Sequence, residues 1–194
     1  MNKDKRIGII GAAGTGKSSL AEVLALKLEI PNLKSREITE SILRRDSYDY
    51  GSGIQIERFL ANTGRQNEIL RRTIEQQIVT SFVTDRTVVD LAAYAVCEMH
   101  HSDSVALKHI IETCHRNVSV YTDLFVCPWR DETIADTGKR TLNPWYQYLI
   151  HVAELGILRD WNCNFIVLQE QSTENRIQEI LKIMGRRYDT DTDY

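Results

Sequence analysis

The junction at residues 6–28 constrains the fold of this chain more than any other stretch. A short apolar run, Arg6 to Ile10, stops at Gly11-Ala12-Ala13-Gly14-Thr15-Gly16-Lys17-Ser18, and a helix-period segment follows with Leu20, Val23, Leu24 and Leu28 on one face until Pro31 forbids continuation. The octapeptide matches the pattern G-x-x-x-x-G-K-[ST] in full, and the flanking strand and helix are expected from residues outside it. The spacing has a physical reason. Glycines let consecutive backbone N–H groups turn inward around phosphates, and the helix that follows presents its positive end to the same anion. Lys17 would reach the β and γ phosphates of a nucleoside triphosphate, and Ser18 would offer a hydroxyl to Mg²⁺. Gly11, Ala12, Ala13, Gly14, Thr15, Gly16, Lys17, Ser18 and Ser19 are therefore the expected ATP-binding residues, with ATP and Mg²⁺ as cofactors.

The rest of the chain alternates in the same way. Leu33 ends a weak second strand; Arg36 to Arg45, Ile54 to Ala61 and Gly64 to Val79 read as helices; Ser81 to Asp85 is a third strand. A helix from about Val88 to Met99 and another through His109 to His115 precede a fourth strand, Val120 to Cys127, whose apolar end lacks alternation, as in a strand covered on both faces. Asn143-Pro144 reads as the cap and first residue of a helix reaching Asp160. Phe165 to Leu168 is a fifth strand, and the last helix starts at Thr173 with Gly185 placed to end it. Five short apolar strands separated by helices predict a parallel sheet with right-handed crossovers, an α/β order throughout.

Composition narrows the setting. Of 194 residues, 42% are hydrophobic and 26% charged, the proportions of an ordinary globular protein large enough to need no disulfide or metal staple. The formal net charge of -3 gives no general pull toward nucleic acid or anionic membrane. No run approaches the roughly 20 apolar residues that span a bilayer, and polar Thr15 to Ser19 interrupts any leader-like segment. A cytoplasmic address is expected. The four cysteines, Cys97, Cys114, Cys127 and Cys163, form no Cys-x-x-Cys pair and read as free thiols in a reducing compartment. One domain is expected over residues 1–185, followed by a flexible tail at 186–194 that lacks apolar periodicity. Within it, a helical substrate region falls at about 36–79 and a lid loop at about 129–142.

Other residues narrow the chemistry. Ser81-Phe-Val-Thr-Asp85-Arg86 puts a carboxylate and a guanidinium at the carboxyl end of a strand, where open parallel sheets frame their ligand crevice. Asp85 is placed to hold Mg²⁺, directly or through water, and Arg86 to face a phosphate.

With these residues in view, the chain resembles the small-molecule kinases of the P-loop class. Asp85-Arg86 with Asp90-Leu-Ala-Ala-Tyr94-Ala is similar to the Asp-Arg segment of thymidylate kinases and, more closely, of ribosylnicotinamide-kinase-like ATPases. Arg36-Glu37 is similar to the Arg-Glu that follows the second strand in both groups. Asp136-Thr-Gly138-Lys139-Arg140 resembles their Asp-Gly-x-Arg element with one extra residue, and the closing Thr173-Glu174-Asn175-Arg176 helix also fits. The resemblance covers most of residues 5–185 in element order and is most specific at residues 11–18 and 85–86. It implies a P-loop NTPase three-layer sandwich with a five-stranded parallel sheet flanked by helices, and phosphoryl transfer with Lys17, Asp85 and Arg140 as catalytic residues. Arg140 lies in the polar stretch 129–140 with Arg130 and Lys139, where a lid would close over phosphates. A stabilising arginine of that kind is worth about 10³ to 10⁵ in rate.

The acceptor is less constrained. A hydroxyl acceptor would use a carboxylate base near the end of the second strand, for which Glu37 is the candidate. A (deoxy)nucleoside monophosphate is already anionic and would use arginines drawn from Arg36, Arg65, Arg71, Arg72 and Arg86. The monophosphate is the leading expectation, with Arg36, Glu37 and Arg86 as substrate-binding residues. Alternatives are a nucleoside or ribosylnicotinamide-type kinase, a polynucleotide or DNA-base kinase, and a nucleotide-switched binding ATPase. The acidic balance disfavours a nucleic-acid partner without removing it, and a homodimer stays open. A regulatory GTPase is set aside because no Asp-x-x-Gly or Asn-Lys-x-Asp motif follows the loop. A motor-type or AAA-type ATPase is disfavoured because no acidic pair ends an apolar strand. The Cys97, His100, His101, His109, Cys114 and His115 set matches no standard zinc spacing.

Overall fold

The computed structural model describes residues 4–51, 54–101, 104–131 and 141–189, the side chains of the last segment through Arg186. Five parallel strands form one sheet: β1 (Arg6–Ile10), β2 (Asn32–Leu33), β3 (Phe82–Thr84), β4 (Asp123–Val126) and β5 (Ile166–Val167), in the order β2-β3-β1-β4-β5. The helices are α1 (Lys17–Leu28), α2 (Ser35–Arg45), α3 (Ile56–Leu60), α4 (Thr63–Gln76), α5 (Val88–Met99), α6 (Ser104–Asn117), α7 (Pro144–Asp160) and α8 (Thr173–Asp189).

The pleat of β1 divides the core. Ile7 and Ile9 join Leu20, Leu24 and Ala21 of α1 and Ile177, Ile180 and Met184 of α8 on one face of the sheet. Ile10 and Phe82 face the other, where Ile38, Ile69, Val89, Leu91, Ile110 and Leu158 come from α2, α4, α5, α6 and α7. Helices therefore cover both faces, and the strands are buried on both sides, as parallel strands must be. This is a three-layer α/β sandwich of the P-loop kinase fold. No helix among the described residues is long and apolar enough to cross a membrane.

Local chemistry explains most boundaries. Asn143 accepts from the Trp145 N–H and Pro144 opens α7, which ends at Asp160 as the sequence predicts. Thr87 and Asp90 form a capping box that starts α5 immediately after Asp85-Arg86. Two expectations shift. The apolar segment before β4 is not all strand, because Val118–Val120 turns as a 3-10 helix and β4 begins only at Asp123. Gly185 does not end the last helix: α8 runs through it to Asp189, so residues 186–189, expected in the tail, continue the helix. Glycine at a helix end is a preference of left-handed backbone, and here no positive φ occurs at Gly185.

Candidate active site

The loop after β1 and the N-terminus of α1 form the floor of the site. Gly16 caps α1 at φ 85°, a left-handed conformation that glycine adopts without strain, and no side chain caps the helix. The first-turn N–H groups of α1 are thus left for a ligand rather than satisfied internally. Gly11 is required for a different reason, since a Cβ there would meet the Cys127 carbonyl at 2.7 Å. The loop is braced from both sides of the sheet. Arg176 of α8, 5% exposed, donates to the Thr15 carbonyl at 2.6 Å, and the Ala13 N–H donates to Gln147 Oε1 of α7 at 2.9 Å.

Lys17 folds back on the loop, its ammonium donating to the carbonyls of Gly11 and, at 2.9 Å, Ala12. Beside it three elements meet on one carboxylate. Asp85, at the carboxyl end of β3, accepts from Ser18 Oγ of α1 at 2.5 Å and from Ser35 Oγ of α2 at 3.3 Å. A serine hydroxyl and a carboxylate in contact are hard oxygen donors of the kind Mg²⁺ prefers. Arg86 turns toward α5, its guanidinium 5.3 Å from the centre of the Tyr94 ring.

From this floor a cavity of about 730 Å³ extends between α2, α3, α4 and α5. Ala13, Gly14, Gly16, Lys17, Ser18 and Ser19 line its loop end, with Asp85, Arg86 and Arg36 beside them. Gly11, Ala12 and Thr15 belong to the loop but not to the cavity wall. Deeper in, the wall is apolar from Leu43, Ile56, Leu60 and Ile69, with Gln66, Glu57 and Glu98 as its polar groups. Oε2 of Glu57 is buried with no partner among the described residues.

Of the arginines proposed for an anionic acceptor, only Arg36 and Arg86 reach this wall. Arg36 is ion-paired to Glu40 at 2.6 Å, and the carboxylate beside it raises the guanidinium pKa above its ordinary value. Arg65 is held by Asp46 and lies over Phe59, Arg71 pairs with Glu75, and Arg72 bonds Ser41 and lies near Glu68. Glu37 is exposed on α2 and does not line the cavity. Asp136, Gly138, Lys139 and Arg140 lie outside the described residues.

Under the floor sits a group that sequence reasoning missed. Glu154 of α7 is fully buried, and neither carboxylate oxygen has a hydrogen-bond partner among the described residues. Burial pushes its pKa well above the ordinary carboxylate value, the neighbouring negative charge of Asp90 pushes the same way, and Lys17 and Arg86 oppose them. Asp90 is also raised by burial, against Lys17, Arg86 and the Thr87 N–H and hydroxyl that favour its charged form. One readable signal existed: Gln147, Ile150, Glu154 and Leu158 share a helical stripe, so two polar residues fall on the apolar face of α7. Ser35 was legible too, as a small hydroxyl residue just before Arg36. Arg176 was read only as part of the closing helix.

A model of the AAA-domain family matches residues 6–176, nearly the whole described chain. The chain belongs to the AAA-domain family. The sequence reading disfavours an AAA-type ATPase for want of an acidic pair at a strand end, whereas the family model matches a chain in which a single acid, Asp85, follows β3. No protein among the curated ones matches it. Among solved structures it is similar to a NadR protein in complex with NR, with a TM-score of 0.71 at 13% identity over 94% of this chain. This AAA-domain chain spans about half of that protein, 52% of its length. A deoxyadenosine kinase from M. mycoides with bound dATP gives a TM-score of 0.64 at 14% identity, covering 93% of this chain and 99% of the kinase. A thymidylate kinase from Candida albicans gives 0.62 at 13% identity, covering 96% and 93%. At these identities the likeness establishes a shared fold.

Proposed function

We propose that this chain is an ATP-dependent phosphotransferase that moves the γ-phosphate of ATP to a (deoxy)nucleoside monophosphate. The observation that carries the reading is the meeting of Ser18, Asp85 and Ser35 at a cavity lined also by the cations Lys17, Lys34, Arg36 and Arg86. Phosphoryl transfer asks a protein for positioning and for charge around the migrating group, and little else. The loop N–H groups and the N-terminus of α1 hold the triphosphate. Lys17, once released from the loop carbonyls, follows the β and γ phosphates. Ser18 and Asp85 would hold Mg²⁺, which when bound neutralises charge between the β and γ phosphates. Arg36 and Arg86 both line the cavity, which supports their guanidiniums as the groups that meet an anionic acceptor once Arg36 leaves Glu40. The apolar depth of the cavity, with Gln66 as its amide, suits a planar base. Glu37, the base a hydroxyl acceptor was expected to use, stands away from the wall, which favours the monophosphate. Arg140 completes the proposed machinery as the arginine that meets transition-state charge.

Glu57 and Glu98 favour a second reading, a nucleoside acceptor, since carboxylates accept from sugar hydroxyls and repel a second phosphate. Incubation of the purified full chain with Mg²⁺-ATP and a panel of nucleosides and (deoxy)nucleoside monophosphates, with products separated by chromatography, decides between them. Diphosphate products support the first reading and monophosphate products the second. A panel without any phosphorylated acceptor overturns both. Cytoplasmic placement belongs to the same proposal.

A further inference from the structure

The Ala13 N–H in the phosphate loop is bound by Gln147 Oε1 at 2.9 Å, and Gln147 is fully buried. The same amide donates through Nε2 to the Thr141 carbonyl at 3.4 Å. Thr141 is also buried, and its remaining backbone and side-chain groups reach the opposite wall of the cavity. Its N–H donates to Glu57 Oε1 at 3.4 Å, and its hydroxyl oxygen accepts from Gln55 Nε2 at 3.3 Å and from the Asn143 N–H at 3.3 Å. One continuous chain of hydrogen bonds therefore joins the phosphate loop to the start of α3 and the cap of α7. A buried amide bonded at both ends cannot shift at one end without leaving a polar group unpaired at the other.

We infer that Gln147 is a positioning residue that couples the phosphate loop to the α3 wall of the acceptor cavity, so that a bound nucleotide orders the acceptor side. The inference rests on the nucleotide-binding reading of the loop proposed above. Phosphate oxygens fix the loop backbone, the fixed Ala13 N–H fixes the Gln147 side chain, and the Gln147 amide holds Thr141, which holds Gln55 and Glu57. Glu57 is the only member that lines the cavity beyond the loop, so it carries the effect to the acceptor.

Amide hydrogen exchange of the full chain, with and without Mg²⁺-AMP-PNP, reads this coupling without knowledge of the acceptor. In the wild type, nucleotide slows exchange at residues 11–19 and also, by about tenfold, at residues 55–61 and 141–147, the effect expected when one net hydrogen bond is added to a local opening. In Gln147→Leu, slowing persists at 11–19 and is lost at 55–61. Should that variant fail to fold, Gln55→Ala/Glu57→Ala cuts the far end of the chain at an exposed and a half-buried residue, and slowing then reaches 141–147 but not 55–61. Slowing at 55–61 that survives in either variant overturns the coupling. So does a wild type in which slowing stops at 11–19. Absence of slowing at 11–19 in the wild type overturns the nucleotide reading itself.

Discussion

Glu154→Gln tests the electrostatics beneath the phosphate loop. The side chain keeps its size, and the titrating group is removed. In the wild type Glu154 faces Asp90 of α5 across the α5–α7 contact, and its native pKa lies well above 4.5 because burial disfavours its charge and the neighbouring Asp90 adds to that, with Lys17 of α1 and Arg86 opposing. The sign follows from proton linkage. The native state keeps the Glu154 proton at pH values where the unfolded chain has lost it, so this contribution to stability is fully present below about pH 4.5 and declines as pH rises toward the native value. The slope approaches about 1.36 kcal/mol per pH unit where the unfolded chain has lost the proton and the native state still holds it. The Gln variant cannot titrate and does not share the loss. Its stability relative to wild type therefore improves as pH rises above about 4.5, by at most about 1.36 kcal/mol per pH unit, or about 3–5 °C in Tm per unit for a chain of this size. Urea unfolding of both proteins at pH 4.5, 5, 6 and 7 measures the difference from midpoints and slopes. Parallel stability curves for the two proteins, or a Gln variant that loses ground as pH rises, refute the assignment of a buried, proton-retaining Glu154.

Lys17→Ala and Asp85→Ala are expected to reduce phosphoryl transfer by at least about a thousandfold with the circular dichroism spectrum unchanged, and near-normal turnover in either refutes its role. Arg140→Ala should lower kcat by about 10³ or more with little change in nucleotide affinity, since its proposed partner is charge that develops in the transition state; a loss confined to binding, measured by nucleotide titration, contradicts that. Gly8→Ala places a methyl 2.6 Å from Thr87 Cγ2 and 2.8 Å from Leu124 Cδ2, and should cost about 1–3 kcal/mol in urea unfolding because these buried side chains, with Tyr121 beside them, must shift to admit it.

The parts of this molecule that the sequence revealed are those in which local chemistry and tertiary position agree. The loop from Gly11 to Ser18 needs glycine for backbone reasons, lies between a buried strand and a helix, and would be recognised from its residues alone. Asn143-Pro144 specifies the start of α7 in the same local way, and Asp85-Arg86 is marked by its position after an apolar run. Strand extents were less legible, because an apolar run such as that before Asp123 is equally consistent with strand and with a tight turn packed on the core. At Gly185 a local preference lost to packing, as Ile177, Ile180 and Met184 keep α8 on the sheet and the helix runs on.

The acceptor side of the site was hidden for a different reason. Its wall is assembled from α2, α3, α4 and α5, and no single helix declares which of its charged residues faces inward. Arg36 and Glu37 are adjacent in sequence, yet a 100° turn per residue sends Arg36 to the cavity and leaves Glu37 on the outer surface. Arg65, Arg71 and Arg72 looked equivalent to Arg36 as candidate phosphate ligands, and Arg36 is ion-paired as they are, but only Arg36 of the four lines the cavity. The charged groups on the wall are unevenly spread: Lys17, Arg36 and Arg86 line it with Asp85, Lys34 and Arg36 are paired with Glu22 and Glu40, and Glu57 of α3 and Glu98 of α5 add carboxylates with no cationic partner among the described residues. A monophosphate bound with its phosphate toward Asp85 and its base toward Glu57 and Glu98 matches that distribution along its length, provided the base presents N–H donors to the carboxylates. Bases whose inward edge offers only acceptors would leave Glu57 Oε2 without a donor and set their own lone pairs against both carboxylates, and discrimination against them should come from that cost rather than from shape.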